Sequence, residues 1–407
     1  MKQKTKFDQT EIGTIPEDWK EKSLGAEIEL CYGKGLTENK RSIGKFPVFG
    51  SNGIVGFHNQ FLVEGPGIII GRKGSVGEIK FSKDNFWPID TTYFVKLKNK
   101  GNIYFWYYFL LTLKLKKMNS HSAVPGLNRE QVYELIKKIP EYIEQSRIAK
   151  ILSDLDSKIE LNQQMNKTLE AIGQAIFKHW FVDFEFPNEQ GRPYKSSGGE
   201  MVDSELGKIP TGWRVSKIGN ELETILGGTP STTNKSYWEN GTVPWINSGK
   251  VNEFRITEPT AYITEEAINS SATKWIPKGT TVLAITGATL GQVSRIEIAT
   301  CANQSVIGII ESTALSSEYI YFWIKNTINK IIGNQTGGAQ QHINKDNVNQ
   351  TEILIPQDKR VLAFNTLLKP IFNHISRSCF ESQNLSQIRD SLLPKLMSGK
   401  IRVSVEV

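Results

Sequence analysis

Two octapeptides constrain this chain more than any other feature: IGTIPEDW at residues 12–19 and LGKIPTGW at 206–213. Gly13 answers to Gly207, Ile15 to Ile209, Pro16 to Pro210 and Trp19 to Trp213, with Ile12 and Leu206 alike in kind. The correspondence continues downstream. IYFW at 103–106 returns at 320–323, GLN at 126–128 aligns with HIN at 342–344, and the Ile-Pro at 139–140 returns at 355–356. Looser matches set DTT at 90–92 beside NQS at 303–305, and GSVG at 74–77 beside GATLG at 287–291. The offset grows from 194 (207 − 13) to 216 (355 − 139). The period is about half the 407-residue chain. That is too long for a solenoid and marks a duplicated domain whose loops differ on a common frame. The extra residues of the second copy are expected mostly within 227–254.

Each copy has two parts. The first is rich in glycine turns and short β-prone runs, FPVFG, GIIIG and YFVKL in one copy and TVLAIT and SVIGIIE in the other, which predicts mixed structure with much antiparallel strand. The second is helical and follows the shared Ile-Pro. Apolar residues recur at Ile148, Leu152, Leu155, Ile159, Leu169 and Ile176 in the first copy. In the second they recur at Val361, Phe364, Leu368, Ile371, Ile375, Leu385, Leu392 and Leu396. Steps of 3, 4 and 7 are the coiled-coil pattern, with Asn162 and Asn166 as polar seam residues that set register. A helix of about 40 residues reaches about 60 Å, longer than one small globule, so the two stripes are expected to bury against each other. Pro370 should kink the second helix. The reading is an α+β chain: two duplicated mixed α/β globules at 11–140 and 204–356, each followed by a long helix at 141–183 and 357–400, the helices pairing as an antiparallel coiled coil, with a Pro/Gly/Ser-rich linker at 184–203. Trp19 and Trp213 are expected where each globule meets the helices.

Composition narrows the function classes. The net charge of +7 suits a polyanionic partner. Three scattered cysteines, Cys31, Cys301 and Cys379, form no C-x-x-C, and the five histidines form no paired spacing, so neither a disulfide framework nor a metal site is expected. A reducing, cytoplasmic setting follows. The opening MKQKTKFDQTEIG has no apolar core of a secretory leader. The longest apolar run, IYFWYYFLLTL at 103–113, spans only about half a bilayer, so no membrane partner is expected.

Loops in both copies combine cations, amides and hydroxyls with glycine. The candidate DNA contacts are Lys34, Arg41, Asn52, Arg72, Lys73, Ser75, Thr91 and Thr92 in the first copy. In the second they are Ser231, Asn234, Lys235, Asn247, Ser248, Lys250, Thr286, Thr289, Gln304, Gln340, Gln341 and His342. Arg and Lys reach phosphates or guanine edges, and Asn and Gln pair with adenine. Each loop alone is also an ordinary turn; their recurrence in both copies favours a binding role. There is no phosphate-loop motif and no Asn-Pro-Pro-Tyr/Phe motif, so no catalytic residue is assigned. Two other readings stand beside this one: a nuclease built on Glu78 and Lys80 of GEIK, and a duplicated scaffold that does not touch DNA.

Taken in order, the segments GTIPEDW and GKIPTGW, GSNGIVG, GPGIIIGRKGSVG, FWPIDTTYFV, EQSRIAKILSDLDSKIELNQQMNKTLEAIGQAIFKHWFVDF, GRPYKSSGGEMVDSELG, GGTPST…YWENGTVPWINSG, GATLG and LSQIRDSLLPKLMSGKI cover most of 11–401. The chain resembles the specificity (S) subunits of type I restriction-modification systems. The resemblance implies two target-recognition domains, each reading half of a bipartite double-stranded DNA site, and a helical pair that sets their spacing. It implies a subunit that is not catalytic by itself and binds no cofactor. Its partners would be two modification subunits, which use S-adenosylmethionine, and two restriction subunits, which use ATP and magnesium. The middle of the first helix departs from ideal heptads at Asn162, Asn166 and Gly173.

Overall fold

A computed structural model of the chain describes residues 7–10, 13–118, 126–333 and 343–403. Two compact units share it. Unit 1 holds residues 1–160 and 383–407, and unit 2 holds 161–382. Both long helices are therefore divided between the units rather than standing apart from them.

Unit 1 opens with the hairpin β1 (Phe7–Thr10) and β2 (Gly13–Pro16). There follow β3 (Lys20–Ser23), α1 (Leu24–Glu27), β4 (Ile28–Tyr32), β5 (Phe46–Gly50), β6 (Gly53–His58), β7 (Gly67–Gly71), β8 (Ile79–Ser82), β9 (Trp87–Pro88) and β10 (Thr92–Leu97). Then come α2 (Ile103–Leu111), α3 (Arg129–Tyr133), β11 (Ile136–Ile139) and the long α4 (Tyr142–Phe181). One sheet runs β4-β10-β7-β8, a second β6-β5-β9, and β11 pairs with β3. The run GIIIG of β7 is buried along its whole length between β10 and β8, as a continuous apolar strand must be. Asn102 starts α2 by accepting from the backbone N–H groups of Tyr104 and Phe105.

Unit 2 repeats this plan. It runs β12 (Met201–Ser204), β13 (Gly207–Pro210), β14 (Arg214–Lys217), α5 (Ile218–Glu221), β15 (Thr224–Leu226), β16 (Val243–Ile246), β17 (Ala261–Ile263), α6 (Glu265–Asn269), β18 (Thr281–Ala284), β19 (Val293–Arg295), β20 (Cys301–Ala302) and β21 (Val306–Ile309). It ends with α7 (Ser317–Gly333), α8 (Lys345–Asn349), β22 (Glu352–Ile355) and the long α9 (Asp358–Met397). Its sheets run β15-β21-β18-β19 and β17-β16-β20, and β14 pairs with β22. Even the parallel pairing recurs, Val48 with Trp87 in unit 1 and Trp245 with Cys301 in unit 2. Among the described α-helices and strands, α6 has no counterpart in unit 1, and neither do the helical turns at 248–252 and 287–289.

The pairing registers locate the extra residues, and they lie later than the sequence suggested. The offset is 197 at Val48/Trp245, 205 at His58/Ile263 and 213 at Ile70/Leu283. The short turn between β5 and β6 has become a 14-residue excursion, 247–260, and a second insertion before β18 contains α6.

Each unit's core joins its sheet to the helices. In unit 1, Trp19, Ile148, Leu152, Leu396 and Met397 share one buried cluster. In unit 2, Trp213 joins Phe177, Phe181, Phe186 and Phe364 and stacks on Phe186 at 4.9 Å. The helices are antiparallel in each unit. Asp156 faces Arg389 in unit 1, while Asn162 faces Glu381 and Phe181 faces Phe364 in unit 2. α9 stays helical on both sides of Pro370.

The seam differs from the expected list. Ile148, Leu152, Ile159, Phe364, Leu368, Ile375 and Leu396 are buried, but Leu155, Leu169, Leu385 and Leu392 are only half-buried. Phe177 and Phe372 are buried in place of Ile176 and Ile371, which are half-buried. The stripe drifts by one position because a helix turns every 3.6 residues rather than 3.5. Phe322 of α7 then sits against both rings, 5.8 Å from Phe177 and 5.5 Å from Phe372. Where apolar residues run out, Asn162, Asn166 and Glu170 are buried instead. Asn162 donates to Glu381 and Ser382, and Asn166 to the Cys379 sulfur.

Candidate nucleic-acid interface

Four loops of unit 1 meet at one end of its sheets. Gly33 and Lys34 donate their N–H groups to Thr92 and Pro88 carbonyls at 3.1 and 3.0 Å. Arg72 and Lys73 both donate to the Thr91 carbonyl at 2.9 and 3.1 Å, and Leu127 closes the rim by donating to the Arg72 carbonyl at 3.0 Å. The β5–β6 turn joins them through Ser75 N–H and the Ser51 hydroxyl at 3.4 Å. Glycine is required here: a Cβ on Gly33 would lie 2.2 Å from the Ile89 carbonyl oxygen, and Gly74 and Gly77 have φ of +74° and +72°. Lys34, Asn52 and Lys73 are exposed on this rim, and Ser75 and Thr91 half-exposed.

Three candidates of this unit have other work. Thr92 is fully buried and donates its hydroxyl to the Ile89 carbonyl, because it opens β10 with its side chain inward. Arg41 donates to the carbonyls of Val55 and Leu36 and so pins its loop over β6. Arg72 donates twice to the Asp90 carbonyl, at 3.2 and 2.6 Å, and lies over Tyr32 and Tyr93 at 5.3 and 5.9 Å. Arg72 thus shapes the rim as well as charging it. Arg129, which the sequence reading passed over, also lies on Tyr32, at 5.4 Å, so two cations flank one exposed tyrosine. Its place just after the repeated GLN was the available signal.

Unit 2 builds the same rim from different side chains. Gly227 donates to Val306 and Gly228 to Ala302, Ile285 donates to Ser305, and Ile343 donates to Ile285. These bonds match, one for one, those of Gly33, Lys34, Arg72 and Leu127. Where unit 1 has Lys34, Arg72 and Lys73, unit 2 has Gly228, Ile285 and Thr286, so its rim is polar rather than cationic. Thr286 donates to the Ser305 hydroxyl or accepts from it at 2.7 Å, Thr289 donates to the Thr286 carbonyl, and Gln304 is exposed and accepts from Thr229. Asn247 caps the helical turn that carries Ser248, accepting from Gly249 N–H at 2.9 Å. Ser231 is exposed beside this rim. Asn234 and Lys235 start a helical turn packed against α6. Lys250 is not free for phosphate: Glu253 and Glu258 hold it at 2.8 and 3.1 Å, and although its burial works against the charge, the two carboxylates raise its pKa. Gln340, Gln341 and His342 lie outside the described residues.

Glu78 and Lys80 are partners of each other at 3.1 Å, and Lys116 also binds Glu78. The Lys116 contact, opposed by partial burial and assisted by Lys80, holds the Glu78 carboxyl below the usual range. Among the described residues, no group of three or more His, Cys, Asp or Glu could hold a metal ion, and no helix is long and apolar enough to cross a membrane.

The duplicated chain has known relatives. The family described as "Type I restriction modification DNA specificity domain" matches twice, at residues 16–171 and 210–365. The type I restriction enzyme MjaIX specificity subunit of Methanocaldococcus jannaschii is 24% identical over 433 residues, covering 98% of this chain and 97% of the relative. The HindI specificity subunit of Haemophilus influenzae is 29% identical, covering 68% and 71%. The crystal structure of a type I restriction-modification S subunit from M. genitalium shares the fold with a TM-score of 0.63 at 15% identity, covering 93% of this chain and 96% of that one.

Proposed function

The chain belongs to the type I restriction-modification DNA specificity family, and on that premise we propose that its two rims read the two halves of a bipartite duplex site. The observation that carries the reading is the duplicated rim: identical backbone bonds frame it in both units, while the side chains on it differ. A frame kept constant under changing side chains is what two reading heads for two different sequences need. Lys34, Arg72, Lys73 and Arg129 suit phosphate and guanine, and Asn247, Thr286 and Gln304 suit base edges without added charge.

The subunit contributes specificity and no bond-breaking chemistry. Two modification subunits supply S-adenosylmethionine and methylate adenine, and two restriction subunits use ATP and magnesium to move and cut DNA. The antiparallel helices set the spacing between half-sites. The assembly works in the cytoplasm. Support comes from the family match.

Methylation-site mapping of DNA from cells carrying the whole system is the test. A bipartite motif that vanishes when this chain is deleted, and that changes in one half when a single rim is altered, is expected. Adenine methylation that persists without the chain would refute the reading.

A further inference from the structure

Unit 2 contains a segment that unit 1 lacks, the 247–260 excursion. Its two ends meet at the rim, where Asn247 N–H donates to the Thr260 hydroxyl, and its middle, at Arg255, reaches the helices. We propose that the excursion is a strut that fixes the rim of unit 2 relative to the helical pair, with Arg255 as the positioning residue; this rests on the DNA-specificity reading above.

One guanidinium ties together the excursion, α4, α7 and α9. The Arg255 side chain is fully buried. Its Nη1 donates to Glu170 Oε2 of α4 at 2.9 Å, to the Tyr321 hydroxyl of α7 at 3.0 Å, and to the Phe254 carbonyl at 2.7 Å. Its Cζ lies 4.6 Å from the centre of the Tyr321 ring and 5.4 Å from that of Phe372 of α9. Glu297, just beyond β19, approaches Nε at 3.7 Å. Lys325 also binds Glu170, at 2.5 Å. The next residue, Ile256, locks the backbone: it donates to the Arg295 carbonyl and accepts from Glu297 N–H at 3.0 and 2.8 Å.

The excursion is braced along its length, so a displacement at Arg255 reaches the rim. Ser294 donates to the Glu253 carbonyl. Lys250 bridges Glu253 and Glu258 across it. At the top, Asn247 N–H donates to the Thr260 hydroxyl, and Thr260 N–H to the Trp245 carbonyl.

Stability alone does not call for this arrangement. Nε and Nη2 of Arg255 and Oε2 of Glu297 have no protein hydrogen-bond partner, so the desolvation of the charges is incompletely offset, and apolar residues of similar volume would hold a core as well. What a buried charged cluster adds is a single geometry. Unit 1 shows the alternative. There Tyr104 stands at the position of Tyr321 and Phe81 at that of Arg295, and the space is an open cleft of about 540 Å³ lined by Phe81, Tyr104, Tyr107, Asp156 and Ile54. The strut is a property of unit 2 alone.

The test uses the full chain assembled with its modification subunits and carries the paired change Arg255→Met with Glu170→Gln, which removes both members of the buried ion pair and leaves Lys325, whose side chain is 33% exposed, to solvent. Methylation at sites with one wrong base is mapped in each half-site, the unit 2 half being identified by Asn247→Ala. At least a tenfold rise in misdirected methylation is expected in the unit 2 half only, with the melting temperature nearly unchanged. Lys250→Met, which loosens the strut while keeping the clamp, is expected to act in the same half and serves if the paired variant does not fold. Unchanged fidelity in both, or equal loss in both halves, would overturn the strut. If the unaltered assembly methylates no bipartite site, the DNA-specificity reading itself fails and the strut with it.

Discussion

Trp19 donates its indole N–H to Glu144 Oε2 at 3.0 Å, and Arg402, from the other end of the chain, grips the same carboxylate at 2.8 Å. The tryptophan that opens the repeat is thus a structural pin between the globule and α4, and the duplicated Trp213 has the same kind of place among Phe181, Phe184 and Phe186. Glu144→Ala strands a buried indole N–H, which costs about 1–3 kcal/mol, and takes from Arg402 one of its two carboxylate partners. Urea unfolding should show a lower midpoint with an unchanged slope.

Lys73 is exposed on the rim, whereas Arg72 is bonded into it. Lys73→Ala is expected to leave the melting temperature alone and to reduce the slope of log affinity against log salt by about 0.9, the share of one phosphate contact. Arg72→Ala should weaken binding further, because the 71–77 loop loses its anchor to Asp90. An unchanged slope in Lys73→Ala, from filter binding of the assembled complex at several salt concentrations, would place that side chain away from DNA.

Gly173 looks like a defect in the heptads, but it is a close-approach site. A Cβ there would meet Phe322 Cζ at 2.8 Å and Leu368 Cδ1 at 2.9 Å, and both side chains are buried. Gly173→Ala gains about 1 kcal/mol of helix propensity and loses about 1–3 kcal/mol to overpacking. Net destabilisation is expected in thermal unfolding.

The helix pair makes a length prediction. Removing one heptad from both α4 and α9 shortens each by about 10 Å, which corresponds to about three base pairs of duplex. The mapped methylation motif should keep its two halves and lose about three bases of spacer. A spacer of unaltered length would mean that the helices do not measure it.

Glu170 gives a pH dependence. Its burial favours the neutral acid, but Arg255 and Lys325 outweigh that and hold the carboxyl below its ordinary value of 4.5. A group with a depressed folded pKa stabilises the fold above its unfolded pKa, and that contribution is lost as pH falls through the folded value. Acid titration of stability should therefore show a loss below about pH 4.5 that is reduced in the Arg255→Met, Glu170→Gln variant.

Much of the frame was legible because the chain is its own alignment. Matching Trp19 with Trp213 and IYFW with IYFW carries the duplication, and the apolar steps of 3, 4 and 7 carry the paired helices. Side-chain assignments were less legible. Thr92 and Lys73 look equally suited to DNA in sequence, yet strand alternation turns one into the core and a glycine turn lifts the other out. Ile176 and Phe177 compete for one seam position, and Phe322, 145 residues downstream, decides between them. The insertion was placed too early because the WENGTVPWINSGK segment is unlike its unit 1 counterpart, and only the strand registers show where it begins.

Arg402 also binds Asp18, at 3.0 and 2.8 Å. Residues near the two ends of the numbering thus meet in unit 1, and the chain is topologically close to a ring clasped by an ion pair. Linking residue 403 to residue 13, which gives up β1, and opening the ring in the exposed turn at Gly198, where nothing lies within 4 Å of a Cβ, would exchange the order of the two heads along the polypeptide while both buried cores kept their residues.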